Sequence, residues 1–202
     1  MQNGVFQTGN PRWSAVFSLF MGVMALIAAE FIPVSLLTPI ARDLAVTEGM
    51  AGQTVTAVGV FAVLTSLLLA PLTGNIDRRR ILLAFSAMLA ASYMLIGIAP
   101  TYPIMLIGRA ILGICVGGFW SLASAVTLQL VPTKDVPRAL SIVYAGVSVA
   151  TIIALPVASW IGHLIGWRNV FFLGALMAAI GFVWQYRALP SLPARAGSGF
   201  RD

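Results

Sequence analysis

The chain has 202 residues, of which 59% are hydrophobic and only 9% are charged, and its formal net charge is +6. A soluble domain carries about 25% charged residues, so this composition excludes an ordinary soluble fold. A bilayer core of about 30 Å needs roughly 20 apolar residues of helix. Apolar stretches of about that length predict an all-α membrane protein with six crossings, at residues 14–40, 49–73, 81–98, 104–129, 139–164 and 169–186.

The first predicted crossing carries an acidic residue, Glu30, past its midpoint. A charge at that depth costs at least about 2.5–3 kcal/mol, so Glu30 should face a cavity or a partner. Pro33 removes a backbone hydrogen bond and predicts a bend, and Pro39 is expected to end the helix. We interpret Glu30 as a group that binds a proton or substrate. The alternative is a carboxylate that pairs with a basic group and joins two helices.

The loop between the second and third crossings is strongly basic. Asp77 is followed there by Arg78, Arg79 and Arg80. The arginines can fix orientation and bond phosphate headgroups, and Asp77 can pair with an arginine or cap the next helix. Two interpretations stay open: a gating loop formed by Asp77, Arg78 and Arg79, and a plain anchor, which explains the arginines but not Asp77.

The fourth crossing places Arg109, Gly113 and Gly117 at i, i+4 and i+8, on one helix face. The two glycines let another backbone approach closely, which favours an interior arginine that pairs with Glu30. The alternative is an arginine that extends outward to the interface. Trp120 can stack a flat ring in a cavity, although packing in the core is the commoner use of such a residue. Cys115 is expected to be a small buried hydrophobe.

The fifth crossing carries polar residues at steps of three and four, so they share one face. They can line an aqueous cavity, with Tyr144 and Ser148 as binding candidates, or bond a neighbouring helix. Beyond the sixth crossing, residues 189–199 are rich in Pro, Gly and Ser and predict a linker that does not pack. The polar positions are Ser141, Tyr144, Ser148, Thr151 and Ser159, with Leu155 in register.

Basic residues alternate by side along the chain. Nine lie in segments on one side and two on the other, which places both termini in the cytoplasm. This orientation divides the chain into three predicted segments: a cytoplasmic terminus at 1–13, a transmembrane bundle at 14–186 and the start of a cytoplasmic linker at 187–202. The nine are Arg12, Arg78, Arg79, Arg80, Lys134, Arg138, Arg187, Arg195 and Arg201, and the two are Arg42 and Arg168.

Several of these motifs resemble those of the major facilitator superfamily. The stretch 108–118 has its fourth-helix pattern R-x-x-x-G-x-x-x-G, and 166–171 resembles its G-W-R-x-x-F. The Asp77 loop resembles its cytoplasmic loop motif in shortened form, with Thr73 where glycine is expected. Gly146 and Pro156 lie in a stretch that resembles the antiporter motif, although most of its glycines are replaced.

The resemblance implies the amino-terminal six-helix bundle of a transporter, built from two inverted three-helix repeats. Within the superfamily it resembles the drug:proton antiporters, and bacterial purine ribonucleoside efflux pumps in particular. It implies proton-coupled efflux from a bacterial inner membrane, without enzymatic activity, organic cofactor or metal. The implied partners are a small solute, protons, lipid, and a carboxy-terminal half or a second copy, but no nucleic acid. Taking pattern and resemblance together, the candidate binding residues are Glu30, Arg109, Trp120, Tyr144 and Ser148, and the candidate packing residues are Gly113, Gly117, Gly146 and Pro156.

Two other classes of protein are considered. An intramembrane serine protease would use Ser121 and His163, which must come within about 3 Å. Ser121 falls in the inner half of its crossing and His163 at the outer end of the next, which argues against this class. A non-transporting scaffold would pair Glu30 with Arg109 without any response to protons or ligand.

Overall fold

In the part of the chain that the computed structural model describes, six helices are long and apolar enough to cross a membrane, which confirms the predicted fold class. The structure describes residues 11–73 and 76–193, and within them it contains no strand. The predicted terminal segments fall partly outside this part, at 1–10 and 194–202. The helices are α1 (Trp13–Ser35), α2 (Leu37–Asp43), α3 (Glu48–Thr73), α4 (Arg78–Ile98), α5 (Tyr102–Leu130), α6 (Val136–Ile165) and α7 (Trp167–Ala188), with a short 3-10 turn at Thr133–Asp135.

The first crossing is broken as the prolines suggest, but at a different residue. Helix α1 ends at Ser35, and the Leu36 amide turns back to the Pro33 carbonyl at 3.3 Å. The expectation that Pro39 ends the helix is wrong, because Pro39 lies in the first turn of α2. A first-turn proline is tolerated because an amide there has no intrahelical partner. The break therefore follows Pro33.

The six long helices form two units of three, α1, α3 and α4 in the first and α5, α6 and α7 in the second, and the two units pack on each other. Helix α3 packs mainly on α5 of the other unit, and α6 packs mainly on α1, while α4 packs on α7. The second helix of each unit thus packs on the first helix of the other unit. This pattern is what a pseudo-twofold pair of repeats produces, and it puts α1 and α5 between α3 and α6.

Each end of the bundle is joined by its own polar contacts. At one end Arg168, at the start of α7, forms an ion pair with Asp43 and donates to the Ala99 carbonyl at 2.8 Å. At the other end the Arg12 amide donates to the Leu130 carbonyl at 3.0 Å. These contacts join neighbouring helices at the same level and so set the vertical register of the bundle.

The segment after α7 packs on the bundle, contrary to the expectation of an unpacked linker. Leu189 and Leu192 are buried, and the Leu192 carbonyl accepts from the Arg78 amide at 3.0 Å. The prediction is wrong for residues 189–193 because these two leucines find an apolar surface and the chain meets free amides at the start of α4. The rest of the predicted linker, from Ala194, lies outside the described residues.

Candidate functional site

Arg109 is fully buried in α5 and donates to three main-chain carbonyls. Its Nη1 bonds the Ala29 oxygen at 2.7 Å, its Nη2 the Glu30 oxygen at 3.2 Å and its Nε the Thr54 oxygen at 3.1 Å. The guanidinium thus joins α5 to α1 and α3. The interior position expected from the glycine spacing is the one observed, and the outward extension is not.

The contact between Glu30 and Arg109 runs through the backbone of Glu30 and not through its carboxylate. Among the described residues the ion pair is formed by Asp43 and Arg168, and not by Glu30 and Arg109. The expected pairing is therefore not a direct ion pair in this structure, because carbonyl oxygens of α1 and α3 occupy the guanidinium donors. The two charges still interact at longer range. The Glu30 side chain is half-buried, and its carboxylate has no hydrogen bond to any described residue.

An aromatic pair joins α5 to α6. The rings of Trp120 and Tyr144 stack with centroids 5.6 Å apart and planes within 12°. The Tyr144 and Ser124 hydroxyls share a hydrogen bond of 2.8 Å. Trp120 is half-buried and Tyr144 is 44% exposed, so this pair is not part of the closed core. Ser148, one turn further along α6, is also exposed.

A groove of about 390 Å³ lies beside this aromatic pair, between α3 and α5. Its wall includes Ser66 of α3 and Trp120 and Ser121 of α5. Hydroxyl and indole groups therefore face the same open space. The bundle presents a surface that is partly aromatic and partly polar at a depth where lipid-facing residues are apolar.

Three of the four predicted packing residues lie at helix contacts. A Cβ at Gly113 or Gly117 would stand under 3.0 Å from carbonyl oxygens of α3, and one at Gly146 would stand 2.9 Å from the Phe20 carbonyl of α1. Pro156 is exposed, so its assignment to packing is wrong within this bundle. The buried face of α6 includes Ala150 and Ala158, and Pro156 is two residues from Ala158, which puts it on the opposite side.

The basic loop is organised by Asp77. Its carboxylate caps α4 by accepting from the Arg79 amide at 2.8 Å, and it also accepts from the Ser191 hydroxyl at 2.5 Å and the Leu192 amide at 3.0 Å. Arg79 donates to the Tyr186 carbonyl at 2.6 Å and lies over the Tyr186 ring. Asp77 and Arg79 thus connect α4 to the end of α7.

The chain matches the Major Facilitator Superfamily model over residues 14–200. It belongs to that superfamily. This major facilitator chain is 46% identical over 92% of its length to the transcription regulatory protein OpdE of Pseudomonas aeruginosa. It is 45% identical over 91% of its length to the purine ribonucleoside efflux pump NepI of Salmonella paratyphi B. The chain covers 46% of each of these relatives, so it spans about half their length.

Solved transporters share the fold of this major facilitator chain. A POT family transporter in complex with 5-aminolevulinic acid superposes with a TM-score of 0.77 at 16% identity, over 92% of this chain and 40% of that one. The human organic anion transporter MFSD10 superposes with a TM-score of 0.66 at 17% identity, over 91% of this chain and 49% of that one. At these identities the likeness shows the fold alone.

The protease alternative gains no support from the geometry of this major facilitator chain. The Ser121 hydroxyl donates to the Gly117 carbonyl at 2.7 Å, within its own helix, and so is not engaged with a base. His163 is exposed near the far end of α6. Among the described residues no group of three His, Cys, Asp or Glu side chains is placed to hold a metal.

Sequence reasoning missed two polar connections in this major facilitator chain. Gln185 of α7 is fully buried, accepts from the Ser86 hydroxyl at 2.6 Å and donates to the Ser18 carbonyl at 3.2 Å. Asp43 accepts from both Arg168 and the Trp167 indole. The buried amide in a membrane-spanning helix was an available signal for the first connection. The second joins residues that lie 124 and 125 positions apart, and no sequence pattern relates Asp43 to the G-W-R motif.

Proposed function

We propose that this chain forms one six-helix bundle of a secondary transporter in a bacterial inner membrane, and that the transporter exports a small solute in exchange for protons. Transporters of this architecture bind solute near the midplane between two bundles, which rock to open the site to each side in turn. Membership of the superfamily supports transport. Coupling to protons, the solute and the second bundle are the proposed parts.

The proposal of proton coupling rests on the surroundings of the Glu30 carboxylate. Its carboxylate is half-buried within a membrane-spanning helix and has no hydrogen bond or ion pair with any described residue. A structural carboxylate at that depth is expected to have a partner. A carboxylate that must accept and release a proton needs access to a cavity and freedom from a permanent counter-ion. Glu30 is half-buried and forms no ion pair with any described residue, which supports this role.

The proposed solute is a purine nucleoside. A relative with 45% identity is named a purine ribonucleoside efflux pump, and the bundle offers groups that suit a flat base with a polar sugar. Aromatic faces can stack on a heterocycle, and Trp120 and Tyr144 already stack on each other at the surface of α5 and α6. The hydroxyls of Ser66, Ser121 and Ser148 are exposed and can bond a ribose.

The proposed orientation places both termini in the cytoplasm. The basic loop at Asp77, Lys134 and Arg138 then lies inside, as the positive-inside rule requires. Glu48, Tyr102 and Gly166 lie outside. Reaction of an impermeant thiol reagent in intact cells with a cysteine at Glu48, but not with one at Lys134, checks this orientation in a Cys115→Ala background.

The test of the proposal compares two carboxylates in the transporter that contains this bundle. Glu30→Gln removes the titratable group while keeping its size, and we expect nucleoside uptake into everted vesicles under an imposed proton gradient to fall to background. Glu48→Gln is the matched control, because Glu48 is exposed at the bundle end and its carboxylate accepts from Thr38 alone among the described residues, at 2.7 Å. Gradient-driven uptake by the Glu30→Gln protein at the level of the control would remove Glu30 from the mechanism.

A further inference from the structure

Pro33 leaves one carbonyl of α1 without its helical donor. In an α-helix the amide of residue i bonds the carbonyl of residue i−4, and proline has no amide hydrogen. The helix continues through Pro33 to Ser35, so the carbonyl that lacks a donor is that of Ala29. Ala29 is buried, with 2% of its surface exposed, and an unpaired carbonyl there has no water to bond.

Arg109 supplies a donor at this position. Its Nη1 lies 2.7 Å from the Ala29 oxygen, which is the shortest of its three hydrogen bonds. The other two acceptors, the carbonyls of Glu30 and Thr54, have helical donors in the amides of Val34 and Val58, which lie four residues later in the same helices. Only the Ala29 carbonyl therefore depends on the guanidinium.

We propose that Arg109 is a positioning residue that replaces the amide missing at Pro33. It ties the C-terminal part of α1 to α5 and so fixes the turn that carries Glu30. This role also accounts for the unpaired state of Glu30, because the guanidinium donors point at the main chain. The proposal concerns how α1 is held and stands whether or not the solute is a nucleoside.

The first test is a double-mutant cycle on the thermal unfolding of the purified chain in detergent. Arg109→Met keeps the apolar stem and removes the donors, and Pro33→Ala restores the amide. We expect Arg109→Met to lower Tm in the wild-type background, and to lower it by less than half as much in the Pro33→Ala background. The Tm of Arg109→Lys, whose ammonium can still donate to the Ala29 carbonyl, should lie between those of the wild-type and Arg109→Met proteins. If Arg109→Met folds only when combined with Pro33→Ala, that rescue supports the proposal. Equal losses of Tm in both backgrounds, or failure to fold in both, overturn it.

Tyr93→Phe is the matched control for this cycle. The Tyr93 hydroxyl is also buried and also donates to an α1 carbonyl, that of Ala25, at 2.7 Å. The Ala25 carbonyl already has a helical donor in the Ala29 amide, so the loss caused by Tyr93→Phe should be the same with and without Pro33→Ala. A loss that Pro33→Ala relieves as strongly as it relieves that of Arg109→Met would show a general effect of the proline and overturn the proposal.

The second readout reports the position of the helix end and not its stability. Val34 is 49% exposed, one residue beyond the proline. In a Cys115→Ala background, the rate at which a thiol reagent modifies Val34→Cys should change at least twofold when Arg109→Met is added to the protein that keeps Pro33. It should stay constant when the same change is made in the protein that carries Pro33→Ala. If Glu30→Gln instead cancels the effect of Arg109→Met, and Pro33→Ala does not, the guanidinium serves as a counter-ion and the proposal fails.

Discussion

Two glycines on α5 set the distance at which α3 can approach. A Cβ added at Gly113 would stand 2.5 Å from the Val58 carbonyl, and one at Gly117 would collide with the Ala62 carbonyl. Both neighbours are backbone atoms, which cannot rotate away as a side chain can. The absence of a side chain at these positions is therefore a condition for the close pairing of α3 with α5, and this pairing also places Thr54 beside Arg109.

We expect Gly117→Ala to lower the free energy of unfolding by about 1–3 kcal/mol, the usual range for an overpacked contact. Gly59→Ala is the control, since a Cβ at this exposed glycine of α3 meets nothing within 4 Å. Unfolding in mixed detergent, followed by circular dichroism, measures both. A loss at Gly117 no greater than that at Gly59 would show that α3 can move away without cost.

The single residues show where sequence reasoning stops. The spacing of Arg109 with its glycines predicted an interior guanidinium, but Glu30 was chosen as its partner because charge was the only available guide. Periodicity describes one helix and says nothing of the register between two. A further signal was present and was not used: a proline within a helix identifies the carbonyl four residues earlier as an acceptor in need of a donor.

At the level of elements, the start of α4 and the segment after α7 act as one unit. Asp77 accepts from the Arg79 amide of its own helix and from Ser191 and Leu192 of the other segment. Burial disfavours its charged form, but these hydrogen bonds and the charge of Arg80 outweigh burial and hold the pKa of Asp77 below its usual range. The ionised form therefore stabilises the docked segment.

We expect Asp77→Ala to cost about 0.5–2 kcal/mol of stability at neutral pH, the range for loss of a helix cap. Asp135→Ala is the matched control, because Asp135 occupies the same position before α6 but makes no side-chain cap. A depressed pKa contributes stability above the unfolded value of about 3.9, which is lost as pH falls through the folded value. The difference between the wild-type and Asp77→Ala proteins should thus shrink below about pH 4 in thermal unfolding scans. A difference that is unchanged at low pH would contradict the role of the charge.

The same elements show which boundaries composition can predict. The six crossings were predictable because apolar length and charged loops mark them directly. Composition could not predict the break at Leu36 or the docking of residues 189–193. The break depends on where a proline falls relative to the following turn. The docking depends on two leucines within a Pro/Ser-rich segment finding a surface on other helices.

At the level of the whole molecule, the bundle leaves polar and aromatic groups outside its core. Glu30 and Trp120 are half-buried, and Tyr144, Ser121 and Ser148 are exposed, although all five lie in membrane-spanning helices. Polar groups in contact with lipid are unfavourable. A second bundle placed against α1, α5 and their neighbours would cover these residues and enclose a cavity, as parallel halves do in transporters of this architecture.

We therefore expect residues 1–202 alone, as a monomer, to move no solute. A rocking-bundle transporter needs a second bundle to close each gate and complete the binding site, and one bundle supplies neither. Proteoliposomes loaded with the purified chain and given a proton gradient measure this, with the monomer content fixed by cross-linking before reconstitution. A chain carrying Glu30→Gln is the control for leakage. Uptake that rises with dimer content would show that two copies serve as the two halves. Uptake by a preparation shown to be monomeric, and absent with Glu30→Gln, would overturn the requirement for a second bundle.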